Sequence, residues 1–146
     1  MSTSSDHRAF LIVDDNPDES FLVQRALEKT GLPNPILVVR SGSEAKLLLR
    51  RACLAAGGRR GDKPALVLLD IKMPLLSGFD LLRWIRRKPA LKKLKVVMLS
   101  NSDEPIDLAR AKELGADGYL IKYPSVATLA AAARQALLPV PRKRTP

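Results

Sequence analysis

The chain has 146 residues, of which 46% are hydrophobic and 27% charged, and its formal net charge is +10. This length suits one folded domain, and so hydrophobic a composition excludes a chain that is disordered throughout. The sequence has no apolar run near the ~20 residues of a membrane span and no signal-peptide core, so we expect a cytoplasmic protein without a membrane segment. The single cysteine, Cys53, excludes an internal disulfide and fits a reducing compartment.

Strand-like and helix-like segments alternate along the chain. The strand-like runs are short and apolar, which is typical of strands buried on both faces, and the other segments have helical spacing of apolar residues. The predicted strands are Ala9–Val13, Pro35–Val39, Ala65–Leu69, Lys95–Leu99 and Gly118–Ile121. The predicted helices begin after Asn16, at Ser41–Glu44, near Gly78, near Glu104 and at Ser125, and they end near Gly31, Ala56, Pro89, Leu114 and Leu138.

Five strands and five helices in alternation predict an α/β domain, in which helices cover both faces of a parallel sheet. Right-handed crossovers and the size of the domain favour the flavodoxin-like, doubly wound strand order 2-1-3-4-5. We expect this domain to span residues 9–138, after a disordered segment at residues 1–8 and before a basic, proline-containing tail at residues 139–146.

Four of the predicted strands end on polar residues that could form one site. The polar residues at these strand ends are Asp14 and Asp15, Asp70, Ser100, and Lys122. Because ligands bind at the carboxyl ends of strands in a parallel sheet, we expect these side chains to meet at one edge. Each residue alone could be a turn residue, a helix cap or a solvated side chain, but four such coincidences are less expected than one shared site.

Three carboxylates, a hydroxyl and an ammonium suit a divalent cation and a phosphoryl group. An Asp carboxylate can attack phosphorus and become an aspartyl phosphate, while neighbouring groups position the phosphoryl group and neutralise its charge. The sequence has neither a GxxxxGKS/T nor a GxGxxG motif, so it gives no support for nucleotide binding. Two other classes stay open: a phosphohydrolase with an Asp nucleophile, and a flavin carrier of the same fold, although an acidic pocket would repel a flavin phosphate.

The motifs around these residues resemble those of the receiver domains of two-component response regulators. The resemblance covers about residues 10–138 and rests on Val13–Asp15, Leu69–Pro74 with Ser77–Gly78, Leu99–Ser100 and Gly115–Lys122. It implies that Asp70 is the phosphoacceptor and that the cofactor is Mg²⁺. The metal ligands would be Asp15, Asp70 and the main-chain oxygen of Lys72, with Asp14 acting through water. Lys122 and Ser100 would bind phosphoryl oxygens, and Ser100 and Tyr119 would form the switch.

By the same resemblance, the chain would be a single-domain, CheY-like response regulator. It would accept a phosphoryl group from a sensor histidine kinase and signal by a phosphorylation-dependent change of its surface. It would be no conventional enzyme, because it would catalyse only its own phosphorylation and dephosphorylation; the alternative within the family is a phosphorelay shuttle without its own output. The segment Leu75–Gly78 and the long basic loop between helix 2 and strand 3 resemble those of stand-alone receivers that serve phytochrome-type or other hybrid kinases.

The alanine-rich helix 5 carries more small apolar residues than one buried stripe needs. Small residues allow the close approach of a partner helix, although alanine also simply favours helix. We therefore expect the face formed by helix 4, strand 5 and helix 5 to make a homodimer or kinase contact.

Two positions depart from the family pattern. Lys122 is followed by Tyr123 and then Pro124, where the family has Lys directly before Pro. Asn101 follows Ser100, where many members have a smaller residue, so its side chain is expected to narrow access to the phosphoacceptor.

The positive charge is expected to lie on the side of the sheet opposite the site. Helix C-termini and strand N-termini share that side in an α/β sheet, and basic runs such as Arg50–Arg51 and Arg86–Lys88 fall there. Cations at helix C-termini commonly complement the helix dipole, and docking to an acidic partner is the alternative. Direct nucleic-acid binding is not predicted, because no recognition helix is evident.

Overall fold

Five short strands form one parallel sheet in the computed structural model, which describes residues 6–54 and 63–138. The strands are β1 (Phe10–Val13), β2 (Ile36–Val39), β3 (Leu66–Asp70), β4 (Lys95–Ser100) and β5 (Gly118–Ile121). Their order across the sheet is β2-β1-β3-β4-β5, and every neighbouring pair is parallel. The predicted doubly wound order is therefore confirmed.

Within the described residues, five α-helices alternate with these strands and begin close to the predicted residues. They are α1 (Pro17–Glu28), α2 (Gly42–Leu54), α3 (Gly78–Arg87), α4 (Pro105–Glu113) and α5 (Val126–Leu137). A 3-10 turn at Pro89–Leu91 lies between α3 and β4, and the sequence does not predict it because three residues carry no periodicity. The predicted end of helix 2 near Ala56 lies outside the described residues.

The sheet separates two apolar layers, because successive residues of each strand point to opposite faces. One layer packs under α1 and α5, and its larger members include Phe10, Ile12, Val23, Leu27, Leu68 and Leu129. The other layer packs under α2, α3 and α4, and its members include Leu11, Leu49, Leu69, Leu82, Ile85 and Met98. With both faces covered, the carboxyl edge of the sheet is the place where polar side chains can gather.

The start of α1 fixes the chain just after the Asp14–Asp15 pair. The side-chain oxygen of Asn16 accepts hydrogen bonds from the backbone N–H groups of Asp18 at 2.9 Å and Glu19 at 3.1 Å. The carboxylate of Asp14 accepts a hydrogen bond from the backbone N–H of Asn16, also at 2.9 Å. Asn16 is thus the helix N-cap, as predicted, and it links the acidic pair to the first turn of the helix.

The start of α3 packs directly on the strand end that carries Asp70. The backbone N–H of Gly78 donates to the carbonyl oxygen of Ile71 at 2.9 Å. A Cβ atom at position 78 would lie only 2.2 Å from the carbonyl oxygen of Asp70, so this contact requires glycine. Ser77 and Asp80 form a reciprocal capping box with two 3.2 Å hydrogen bonds, which holds the helix start in place.

Positive charge gathers around Trp84, on the surface that α2 and α3 share. The ammonium groups of Lys46 and Lys88 each lie 5.4 Å from the centre of the indole ring, and the guanidinium of Arg50 lies 5.6 Å away. In the part of the chain that the structure describes, none of these three cations pairs with a carboxylate. We call these four residues the Trp84 cluster.

The chain just before β1 lies against the loop that precedes β2. The side-chain amide of Asn34 donates to the carbonyl oxygens of Asp6 at 2.9 Å and Arg8 at 2.8 Å. Residues 1–5 and 139–146 lie outside the described residues, so the predicted domain limits stay predictions. Among the described helices, none is both long enough and apolar enough to cross a membrane.

Candidate functional site

An open pocket of about 370 Å³ lies at the carboxyl edge of the sheet. It is formed by the loops that follow β1, β3, β4 and β5, together with the first turn of α1. Its lining residues are Asp15, Asn16, Pro17, Glu19, Asp70, Lys72, Ser100, Asn101 and Lys122. The strand-end residues that the sequence singles out are therefore brought together, since the remaining one, Asp14, contacts Lys122.

Three carboxylates of the pocket are close enough to hold one cation. Oxygen atoms of Asp14, Asp15 and Asp70 all lie within 4.8 Å of one another. Asp14 and Asp70 are buried, whereas Asp15 is exposed at the mouth of the pocket. Oxygen ligands in this arrangement, open to water on one side, suit a hard divalent cation such as Mg²⁺.

Lys122 supplies the positive charge at the centre of the site. Its side chain is only 1% exposed, and its ammonium lies 3.0 Å from Asp70 Oδ1 and 3.1 Å from Asp14 Oδ2. A third carboxylate, that of Glu19, lies 2.5 Å away. Burial alone would lower the pKa of Lys122, but the hydrogen bonds to Glu19 and Asp70 raise this pKa above its ordinary value.

Asp70 is a buried carboxylate that lies next to the positive charge of Lys122 and the negative charges of Asp14 and Glu19. Burial raises the pKa of its carboxyl group to about 6, against the opposing effect of the Lys122 hydrogen bond. The negative charges of Asp14 and Glu19 add to the rise. The carboxylate is still largely ionised at neutral pH, as a nucleophile must be.

Ser100 and Tyr119 are connected through one residue, Ser102. The hydroxyl of Ser100 accepts a hydrogen bond from the backbone N–H of Ser102 at 3.0 Å. The hydroxyl of Tyr119 donates to the carbonyl oxygen of Ser102 at 2.7 Å. A displacement of the Ser100 hydroxyl would thus reach the Tyr119 ring through a single loop residue, which the sequence analysis does not identify.

The two departures from the family pattern both lie at this pocket. Asn101 is exposed and lines the pocket beside Ser100. The peptide bond between Lys122 and Tyr123 is cis. The main chain of Lys72 follows Asp70 at the pocket, while its side chain is exposed.

Glu19 is a site residue that the sequence analysis missed. Its hydrogen bond with Lys122 lowers the pKa of its carboxyl group, and nearby Asn101 and Tyr123 lower this pKa further. The sequence carries no specific signal for this role, because an acidic residue in the first turn of a helix is common.

Comparison with known proteins agrees with this geometry. Residues 10–134 match the family described as response regulator receiver domain. The chain is 38% identical over 112 residues to the probable methanogenesis regulatory protein FilR2 of Methanothrix harundinacea, which covers 77% of this chain and 70% of that protein.

Two solved structures are similar over nearly the whole chain. The bacteriophytochrome response regulator AtBRR superposes with a TM-score of 0.73 and 33% identity, covering 93% of this chain and 98% of that one. The Mn²⁺-bound form of the response regulator Rcp1 superposes with a TM-score of 0.70 and 26% identity, covering 92% and 99%. The chain therefore belongs to the response regulator receiver domain family, whose members act in phosphorylation-dependent signalling and not as conventional enzymes.

Proposed function

We propose that the protein is phosphorylated on Asp70 and that Lys122 and Ser100 bind the phosphoryl oxygens. The observation that carries this assignment is the 3.0 Å contact between the Lys122 ammonium and the Asp70 carboxylate, at an open polar pocket. A buried lysine beside a carboxylate that lines an open pocket can neutralise the charge of a phosphoryl group on that carboxylate. The comparison with phosphorylation-dependent regulators supports the same function.

In the proposed reaction, a carboxylate oxygen of Asp70 attacks the phosphorus of a phosphohistidine on the kinase. A P–O bond forms, the P–N bond breaks, and the departing imidazole nitrogen takes up a proton from solvent. The Lys122 ammonium and the Ser100 hydroxyl stabilise the phosphoryl oxygens during the transfer. Water later hydrolyses the acyl phosphate, so the catalysis performed by this chain is limited to gaining and losing one phosphoryl group.

This assignment predicts that acetyl phosphate and Mg²⁺ add one phosphoryl group to the wild-type protein. Asp70→Asn should abolish the addition, because an amide is a poor nucleophile towards phosphorus. Intact-mass spectrometry measures the product directly. Asp103→Asn is the matched control, since this carboxylate is exposed and lies outside the pocket lining. Undiminished labelling of Asp70→Asn would overturn the assignment.

We further propose that the cation of the site is Mg²⁺. Asp15, Asp70 and the main-chain oxygen of Lys72 would hold it, with Asp14 acting through water, and the 4.8 Å clustering of the three carboxylates supports this. Such a cation would neutralise part of the charge that the phosphoryl group brings into the pocket.

Mg²⁺ at ten times its dissociation constant should raise the melting temperature of the wild-type protein by about 4 °C. This rise corresponds to a gain of about 1.4 kcal/mol in the free energy of unfolding. Asp15→Ala should remove this rise, because it removes a proposed ligand. Asp103→Ala should keep it. Thermal unfolding followed by circular dichroism tests the assignment, and an equal rise in wild type and Asp15→Ala would place the cation elsewhere.

We propose that the Ser100–Ser102–Tyr119 connection carries the change from the phosphoryl group to the surface formed by α4, β5 and α5. We further propose that this surface forms a homodimer that phosphorylation strengthens. Ile106 on α4 and Ile121 on β5 are 71% and 43% exposed. An apolar groove lined in part by Leu120 and Ala132 lies between β5 and α5. Exposed apolar groups of this kind favour association with a second copy.

Sedimentation velocity with and without beryllofluoride, a phosphoryl mimic, should show dimers in its presence. Ala132→Glu should weaken the association by at least tenfold, because it places an unpaired charge in the contact. Ala90→Glu, on an exposed position outside this face, is the control. Association that the mimic does not change, or that Ala132→Glu does not weaken, would contradict the proposal.

The source of the phosphoryl group is proposed to be a phytochrome-type or other hybrid histidine kinase in the cytoplasm. The similarity to the bacteriophytochrome response regulator AtBRR over 93% of the chain supports this class of partner. The partner can be identified by measuring phosphotransfer from a panel of purified kinases to the wild-type protein. Asp70→Asn is the negative control.

A further inference from the structure

Glu19 makes the shortest of the three contacts at the Lys122 ammonium. Its carboxylate lies 2.5 Å from Nζ, against 3.0 Å for Asp70 and 3.1 Å for Asp14. The Lys122 ammonium donates hydrogen bonds to Asp14 and Glu19, and the Asp70 carboxylate lies within ion-pair distance of it. Within the part of the chain that the structure describes, three carboxylates therefore surround the ammonium that a phosphoryl oxygen would have to reach.

The oxygens of a phosphoryl group on Asp70 would compete for this ammonium with the hydrogen bonds to Asp14 and Glu19. Asp14 is fully buried, and its other oxygen is already fixed by the backbone N–H of Asn16. Asp70 becomes part of the acyl phosphate itself and stays in place. The side chain of Glu19 is 21% exposed and lines the pocket, so its carboxylate can turn into water at the lowest cost.

We propose that Glu19 occupies, on Lys122, the position that a phosphoryl oxygen takes after phosphorylation. Glu19 is then a positioning residue: it holds Lys122 in the resting protein and competes with the phosphoryl group for the same donor. Its negative charge also opposes the arrival of an anionic phosphoryl group. This inference rests on the proposed phosphorylation of Asp70 and deepens it, because it names a residue that limits how readily the site is occupied.

The test compares Glu19→Gln with Asp18→Asn. Both variants neutralise one carboxylate in the first turn of α1, but Asp18 makes no side-chain contact with Lys122 in the described structure. Beryllofluoride is titrated into each protein at saturating Mg²⁺ by calorimetry. Glu19→Gln should bind the mimic about tenfold more tightly than wild type, which is the scale of one charge-assisted hydrogen bond. Asp18→Asn should stay within about twofold of wild type, because its charge is exposed and screened.

A second measurement separates competition from a general effect on the fold. In wild-type protein labelled with carbon-13, the carboxylate resonance of Glu19 should move towards the shift of a solvated glutamate when beryllofluoride binds. The Asp18 resonance should not move.

The outcomes distinguish this inference from the assignment on which it rests. Suppose that wild type binds the mimic, that Asp70→Asn abolishes this binding, and that Glu19→Gln binds more tightly. This result supports both the phosphorylation of Asp70 and the role of Glu19. If wild type binds the mimic but Glu19→Gln and Asp18→Asn have equal affinities for it, only the role of Glu19 is overturned. The same holds if the Glu19 resonance does not move when the mimic binds to wild type. Failure of the wild-type protein to bind the mimic, or undiminished binding by Asp70→Asn, overturns the proposed function and this inference with it.

Discussion

Gly78→Ala is expected to lower the free energy of unfolding by about 3 kcal/mol, the upper end of the usual range for overpacking. The added Cβ would lie 2.2 Å from the carbonyl oxygen of Asp70 and 2.9 Å from the Cα of Ile71, and both of these atoms belong to backbone. A flexible side chain could move away, but the end of β3 cannot move without breaking its hydrogen bonds in the centre of the sheet. Urea denaturation measures the loss.

The same substitution should slow phosphorylation by acetyl phosphate, because the displaced backbone carries the proposed phosphoacceptor. Gly118→Ala is the matched control. A Cβ at position 118 would meet the Val97 side chain at 3.4 Å, an ordinary contact, so alanine should leave stability unchanged or slightly raised. Equal stability of the two alanine variants would show that α3 does not hold the Asp70 loop as described.

Lys122→Met should lower the free energy of unfolding by about 3 kcal/mol when divalent cations are absent. The ammonium is the shared partner of Asp14, Asp70 and Glu19, and its removal leaves buried carboxylates that repel one another. Methionine keeps most of the volume of the side chain, so the loss reports the missing charge and not a cavity.

Mg²⁺ should restore more stability to Lys122→Met than to wild type, since a cation then relieves a larger repulsion. Denaturation with and without Mg²⁺ measures both effects. Lys72→Met is the control for the loss of a positive charge at the pocket, because the Lys72 side chain is exposed. The free energy of unfolding of this variant should differ from that of wild type by no more than about 0.5 kcal/mol. A Lys122→Met protein as stable as Lys72→Met would argue against a shared ammonium.

The fold and most of the site could be predicted because both depend on local patterns. Short apolar runs that end on a polar residue mark parallel strands, and the carboxyl ends of those strands meet whatever the details of packing. Asp70, Ser100 and Lys122 were thus predictable as neighbours from their positions at strand ends. Asn16 was predictable as a helix cap because its residue type and the following proline have a local meaning.

The remaining parts of the site depend on three-dimensional contacts that no local pattern encodes. Ser102 acts through its backbone N–H and carbonyl groups, and these are the same for every residue type except proline. Glu19 at the start of a helix has an ordinary alternative role in complementing the helix dipole, so its contact with Lys122 is visible only in the structure. Gly78 marks a helix start in the sequence, whereas its contact with Asp70 depends on how α3 docks on β3.

The Trp84 cluster has a practical consequence for spectroscopy. Trp84 is the chain's one tryptophan, and it is not among the residues that line the pocket at the carboxyl edge of the sheet. Its fluorescence should therefore stay constant during phosphorylation and serve as an unfolding signal common to both forms of the protein. The three cations lie 5.4–5.6 Å from the ring, so anions that draw them away should change the Trp84 emission. Binding of a polyanion to the α2–α3 surface would therefore be detectable as a change in Trp84 fluorescence.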